Sequence, residues 1–480
     1  MAGDWTTIGD IAEVFDGPHA TPKKIEEGPY FLSISSLEQG KLDLSKSAHI
    51  SEEQYIKWTK RVTPQEGDVL FSYETRLGEA ALMPGGIKAC LGRRMGLLRP
   101  NKEVVDPSYL LFAYLSPDFQ REIVARTNSG ATVDRIALKE LPSFPIRIPK
   151  LQEQREIASV LSALDNKIEL NRQINATLES MAQALFKSWF VDFDPVIDNA
   201  LAAGNPIPEP LQARAEKRAA LLAASAADTR SPNATDNTHP TQTAPHTQSG
   251  TTAPATPLQP LPADLRALFP DSFVFNEEMG WVPAGWPSGL LDEIAHYGSE
   301  RISVGEIGHA NYVSTENLIP ERGGVREASS LPTSEWVPAF TDGSILVSNI
   351  RPYFKKIWMA RRVGGRSNDV LGFESRLAGA EEYLYCLLCQ DKFFDYMMAT
   401  AKGTKMPRGD KKAIMNWQVV IPSDQLMREF SSIIRGFLLS AQARSEQSLS
   451  LASIRDSILP RLLRGEIRIE DVHQSLAEVV

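Results

Sequence analysis

From Leu151 to Phe190 the apolar residues recur in alternating steps of four and three. The series is Ile157, Leu161, Leu164, Ile168, then Asn171 and Asn175, then Leu178, Ala182, Leu185 and Trp189. That alternation is the seam of a coiled coil, and no Pro or Gly interrupts it. The other positions are mostly Glu, Gln, Lys, Arg, Asn and Ser. One helix over this stretch would be about 60 Å long at ~1.5 Å per residue, more than a single domain core needs. Its seam therefore requires a partner of similar length.

The same chain supplies a candidate. At one fixed displacement Ile157 falls on Phe430, Leu161 on Ile434, Leu164 on Phe437 and Ile168 on Ala441. Leu178, Leu185 and Trp189 fall on Leu451, Ile458 and Leu462. The preceding segment repeats too: Gly130–Pro149 overlays Gly403–Pro422, each running from a Gly-led polar loop to an Ile-Pro stop. Further upstream, Gly67–Leu70 overlays Gly343–Leu346, Phe31–Leu37 overlays Tyr312–Leu318, and Trp286 mirrors Trp5. The chain reads as a tandem duplication of a globular unit followed by a long helix. Asn171 and Asn175, which fall on Arg444 and Ser448, put polar groups at the seam's centre, where they fix register.

Within the first unit, short apolar runs bounded by Gly and Pro predict strands at Phe31–Ile34, Val69–Ser72, Gly96–Leu98 and Ile146–Ile148. A helix is expected from Tyr109 to about Arg126, followed by a polar loop, Thr127–Arg135. The first long helix should stop near Asp192–Pro195, with Pro as the stop signal. An Ala-rich helix, Leu211–Ala227, follows. From Ser225 to Pro257 there is no Leu, Ile, Val, Met or aromatic residue, so disorder is expected over about 225–260. The fold class is mixed α/β: two tandem globular domains joined by two long helices that form an antiparallel coiled coil.

Composition narrows the function. An apolar fraction of 42% supports real cores, and a net charge of −9 argues against polyanion binding by the whole surface. Cys90, Cys386 and Cys389 make no disulfide framework, which suits a reducing, cytoplasmic setting. The opening MAGDWTTIGD has no basic n-region or apolar h-region, and no run approaches the ~18 apolar residues of a membrane span. No phosphate loop, dinucleotide fingerprint, zinc spacing or Ser/His/Asp arrangement is found, so catalytic residues and metal ligands are expected to be absent. Cys386-Leu-Leu-Cys389 lies in an apolar helix and reads as core. Asp410-Lys411-Lys412 resembles the tail of a nuclease site but has no preceding acidic residue at strand spacing. A stand-alone nuclease is thus one alternative, and a protein-binding scaffold with solvated basic faces is another.

Local charge points to a binder of nucleic acid. Arg351–Arg366 carries Arg351, Lys355, Lys356, Arg361, Arg362 and Arg366 without an acid, interleaved with Tyr353, Phe354 and Trp358. Lys402–Lys412 adds Lys402, Lys405, Arg408, Lys411 and Lys412 against Asp410 alone. The first unit has a weaker counterpart in Lys88, Arg93, Arg94 and Arg99, with Arg76 nearby and Thr132 and Arg135 in the polar loop. Such runs suit a phosphate backbone, and Arg can also read base edges. The long helices carry extra apolar rows beside the seam: Val160, Ile174, Met181, Ile433 and Ile454 on one flank, Phe186, Leu438 and Leu459 on the other. These imply further helices packing on, from other subunits.

Several motifs resemble those of the specificity subunits of type I restriction-modification systems. They are Pro149-Lys150-Leu151-Gln152-Glu153-Gln154 before the first helix, ALFKSWFVDFDP at 184–195, LFPDSF at 268–273, MGWVPAGW at 279–286 and SILPRLLRGEI at 457–467. The low-complexity insert after Ala227 departs from the pattern. The resemblance implies two target recognition domains, 1–150 and 281–422, each reading half of a split double-stranded DNA site. Spacer helices at 151–194 and 423–465, a linker at 195–280 and a tail at 466–480 complete the division. It further implies two methyltransferase subunits using S-adenosylmethionine to methylate adenine. Motor-nuclease subunits using ATP and Mg²⁺ would join them, and no cofactor would be held by this chain.

Overall fold

The computed structural model describes residues 4–18, 20–128, 134–228, 261–403 and 405–472. It divides into two units, Met1–Ile174 with Ala443–Val480, and Asn175–Gln442. Each unit contains one globular domain and a portion of both long helices.

The first domain is built on a four-stranded antiparallel sheet in the order Ala12–Asp16, Met95–Pro100, Val69–Ser72, Ala80–Leu82. Successive side chains of a strand point to opposite faces. Val69, Phe71 and Leu98 accordingly join a core with the helix Pro107–Leu115, while Leu70, Leu97 and Met95 pack beneath Leu32 and Leu37. Burial on both faces explains why Val69–Ser72 is a continuous run of buried residues rather than an alternating one. The second domain repeats the arrangement with Ala295–Tyr297, Val370–Ser375, Ile345–Ser348 and Ile357–Met359. Each domain is closed by a short antiparallel pair leading into a long helix: Asp4–Thr7 with Pro145–Ile148, and Ser288–Leu290 with Gln418–Val420.

Four expectations are corrected in detail. The expected helix from Tyr109 is two helices, Pro107–Leu115 and Pro117–Ala125. Ser116 precedes a proline, which disfavours helical backbone; it is extended instead, and its hydroxyl caps the second helix at Phe119. The strand expected at Phe31–Ile34 is shifted toward the N-terminus, to Ile25–Phe31. Trp5 pairs with Arg147 and Ser288 with Val420, so strand register places Ser288, not Trp286, in the position of Trp5. Trp5 is 69% exposed, whereas Trp286 is buried among Phe190, Phe193 and Phe269. Finally, helical backbone does stop at Asp192, within the expected stretch, but Pro195 is not what stops it. Pro195 occupies the first turn of the next helix, Asp194–Ala203, where a missing N–H costs nothing. The break comes from one π turn at Lys187–Val191 and from Phe193 in the left-handed region.

The long helices run Leu151–Phe186 and Asp424–Leu463. In the first unit they are antiparallel: Asp165 pairs with Arg455 at 2.6 Å, and Asn171 further along bonds to Gln447 at 2.9 Å. Asn171 is buried in the seam and also donates toward Ser448 and the Arg444 carbonyl. In the second unit the seam ends in an aromatic cluster, with Phe186, Trp189 and Phe190 all within 5.7 Å of the Phe430 ring. The stretch between the first helix and the second domain adds Val196 and Phe269 to that core, and a hairpin, Phe273–Asn276 with Gly280–Pro283. The Ala-rich helix spans Gln212–Asp228, reaching the first residues of the segment expected to be disordered; 229–260 lie outside the described residues. Of the tail, Ile467, Ile469 and Val472 pack on the first unit's core.

Each domain is tied to its helices by buried polar groups. Gln154 is fully buried, accepts from the Asp106 N–H and donates to the Val104 and Pro149 carbonyls. In the second unit Glu382 is fully buried and accepts from Arg361 at 2.8 Å and from Arg435 of the second long helix at 2.9 Å. Burial alone would push the Glu382 carboxyl up; the hydrogen bonds from Arg435 and Arg361 outweigh it and hold the pKa below the usual value. We expect Glu382→Gln to destabilise the second unit by about 2–3 kcal/mol in urea unfolding. This is less than the ~3–5 kcal/mol of a fully buried pair, because the Arg435 side chain is 43% exposed. Because the folded-state pKa is depressed, the wild-type advantage is present above about pH 4.3 and is lost as pH falls through the lower folded value. An advantage that does not change with pH would contradict this role for Glu382.

Candidate nucleic-acid interface

The same turn is built at equivalent positions of both domains. After Val69–Ser72, the buried Ser72 hydroxyl donates to the Glu74 carbonyl at 3.0 Å; after Ile345–Ser348, the buried Ser348 hydroxyl donates to the Ile350 carbonyl at 3.1 Å. The next residue is left-handed in each: Thr75 at φ 75° and Arg351 at φ 50°. Each turn is then bonded to the loop that follows a pair of helices, Pro107–Leu115 with Pro117–Ala125 in the first domain and Glu381–Leu388 with Asp391–Ala399 in the second. Ile136 N–H donates to the Tyr73 carbonyl at 2.9 Å, and Gly409 N–H to the Asn349 carbonyl at 3.2 Å. Bridges Glu74–Arg135 and Ile350–Arg408 continue the contact. Two loops distant in sequence thus form one edge of each domain.

This geometry brings the two basic runs of the second domain together. Arg351 N–H donates to the Pro407 carbonyl at 2.9 Å, and Lys402 and Arg408 exchange backbone hydrogen bonds at 2.9 and 3.0 Å. Arg351, Tyr353, Lys405, Lys411 and Lys412 are exposed around this edge, and the Tyr353 ring packs at a tilt against Phe354, 4.6 Å between centroids. Arg408 is exposed and pairs with Asp369 at 3.2 Å. Arg362 lies over the Trp358 ring at 5.2 Å.

Other basic residues of the run have structural partners. Arg361 is held by Glu382, Lys355 by Asp391 at 2.8 Å, and Arg366 is buried among the carbonyls of Gly298, Ala339 and Val370. Lys356 donates to the Thr315 carbonyl at 2.6 Å, and burial, with Arg326 nearby, lowers its pKa. In the first domain Arg76 pairs with Glu79 at 3.2 Å and Arg94 with Glu74 at 2.9 Å. Arg93 and Arg135 are exposed. Thr132 lies outside the described residues.

Of the apolar positions flanking the seam, Phe186 and Val160 are buried in the cores of their own units, and Ile174, Leu438, Ile454 and Leu459 are half-buried. Met181 and Ile433 are exposed, as are Leu170, Leu439 and Leu449 on the same helices. The charge count missed Thr75, because an uncharged residue after an apolar strand carries no composition signal. Its equivalence to Arg351 exists only in the fold.

The chemistry of the remaining motifs is structural. Asp410 caps the helix Lys411–Met415, accepting from the Lys412 and Ala413 N–H groups. Among the described residues no group of His, Cys, Asp or Glu is arranged to hold a metal ion. Cys386 and Cys389 are buried in the core; burial raises both thiols, that of Cys389 to about 12. No described helix is long and apolar enough to cross a membrane.

Residues 3–180 match the family described as the type I restriction modification DNA specificity domain. The HindI specificity subunit of Haemophilus influenzae, from a type I restriction enzyme, is 27% identical over 395 residues, covering 77% of this chain and 80% of its own. The MjaIX specificity subunit of Methanocaldococcus jannaschii is 23% identical over 489 residues, covering 98% and 92%. The crystal structure of the type I restriction-modification S subunit from M. genitalium superposes with a TM-score of 0.51 over 96% of both chains at 14% identity, a likeness of fold.

Proposed function

We infer from the family to which this chain belongs, the specificity subunits of type I restriction-modification systems, that it reads a split double-stranded DNA site, one half with each domain. The observation that carries this reading is the duplicated two-loop edge, Thr75 with Arg135 and Arg351 with Arg408, set on two copies of one sheet. The long helices act as the spacer between half-sites. Two methyltransferase subunits dock on the assembly, for which exposed Met181, Ile433, Leu170, Leu439 and Leu449 offer apolar contacts. Adenine methylation with S-adenosylmethionine, and ATP- and Mg²⁺-dependent translocation and cleavage, belong to the methyltransferase and motor-nuclease subunits. This chain contributes recognition rather than catalysis.

Two experiments test the reading. In the assembled complex, changing Lys405, Lys411 and Lys412 together to Ala should weaken binding to all duplex sequences alike. It should also flatten the dependence of log K on log salt by ~0.9 for each phosphate that is no longer neutralised. Arg361→Ala should act on stability instead, through Glu382. An unchanged salt slope for the triple variant would remove these lysines from the interface. Secondly, removing four residues, about one turn, from one long helix should change the gap between half-sites or abolish assembly. Normal assembly with an unaltered gap would rule out the spacer role.

A further inference from the structure

Thr75 and Arg351 occupy the same position of the two copies, and both adopt a backbone conformation that favours glycine. Thr is β-branched, for which a positive φ is a genuine outlier. The other left-handed residues have evident local partners: the Gln39 N–H donates to the Glu79 carboxylate at 2.8 Å and Arg94 pairs with Glu74 at 2.9 Å. Phe193 packs on Trp286, Lys355 pairs with Asp391, and the Glu321 and Arg322 N–H groups bond to the Phe354 and Lys355 carbonyls. For Thr75 and Arg351 the turn is over-determined from below, by the buried serine hydroxyl and by the cross-bond from the late loop. Both side chains are exposed. Arg351 makes no ion pair among the described residues. The Thr75 hydroxyl accepts from Arg94, another left-handed residue, at 3.3 Å. Glycine would relieve the backbone at either position, at the loss of only that one exposed hydrogen bond at Thr75, yet two different side chains stand there. Backbone strain retained at one position of both copies marks what the side chain presents.

We propose that Thr75 and Arg351 are specificity-determining residues, each reading one base pair, Thr75 in one half-site and Arg351 in the other. This rests on the DNA-reading function above. The fork of Arg351 suits the O6 and N7 acceptors of a guanine in the major groove. The lysines around it, Lys405, Lys411 and Lys412, are point charges suited to phosphate.

The test is the sequence profile of the complete complex with its methyltransferase subunits, measured as binding and methylation on a library of single-base variants of its site. Arg351→Gly should lower cognate binding by roughly 10–100-fold and relax one position of one half-site. Arg351→Lys keeps the charge without the fork and should relax the same position. Thr75→Gly should relax one position of the other half-site. Both glycine variants should melt at or above the wild-type temperature, since each relieves a left-handed residue; a purely structural role predicts no change in the profile. The assignment of either residue is overturned if its glycine variant keeps the wild-type profile, or if that variant degrades both half-sites together. A wild-type complex without any sequence preference would instead overturn the underlying function.

Discussion

A 36-residue helix with an apolar seam along its length cannot stand alone in water, and the rest of the molecule follows from how that seam is covered. The second long helix runs against it, and each unit takes a portion of both. Around the seam the two units use different side chains. The first buries Asn171 and pairs Asp165 with Arg455, a polar register device. The second packs Phe186, Trp189 and Phe190 edge-to-face around Phe430. Seating a domain on such a pair needs directional contacts as well as apolar area, and these are Gln154 in one unit and Glu382 with Arg361 and Arg435 in the other.

That last contact changes the meaning of the charge pattern. Arg361 sits in an acid-free basic run, but its side chain is only 14% exposed and neutralises the buried carboxylate that links the domain to the helix. Arg366 likewise bonds carbonyls inside the domain. The run therefore serves two purposes along one stretch of chain. Its first residues stand on the edge shared with the loop at 402–408, and its last residues build the domain. A net charge of −9 is compatible with such an edge, because the positive groups that face outward are few and concentrated.

The duplication, the two long helices, the strand Val69–Ser72 and the central residues Gly96–Leu98 of the strand Met95–Pro100 were legible in the sequence, because periodicity and apolar runs report burial directly. Details that depend on one backbone torsion were less so. The Ser116 break was signalled by the following proline but masked by the continuous apolar run around it. Trp5 and Trp286 match by residue type, while the strand ladder sets them two positions apart. For the candidate interface, sequence located the basic runs, but no local pattern says which arginine will find a buried carboxylate. Thr75 was invisible, since its interest lies in a φ angle shared with Arg351.

In the proposed role this chain directs its partners to a split DNA site. That role is tested most directly by mapping adenine methylation across the genome of cells carrying this gene with a cognate methyltransferase gene, against cells lacking it. The account predicts a motif of two short defined halves around a fixed gap, present in the first and gone in the second. Identical methylation in both strains, with the methyltransferase expressed and soluble, would contradict it.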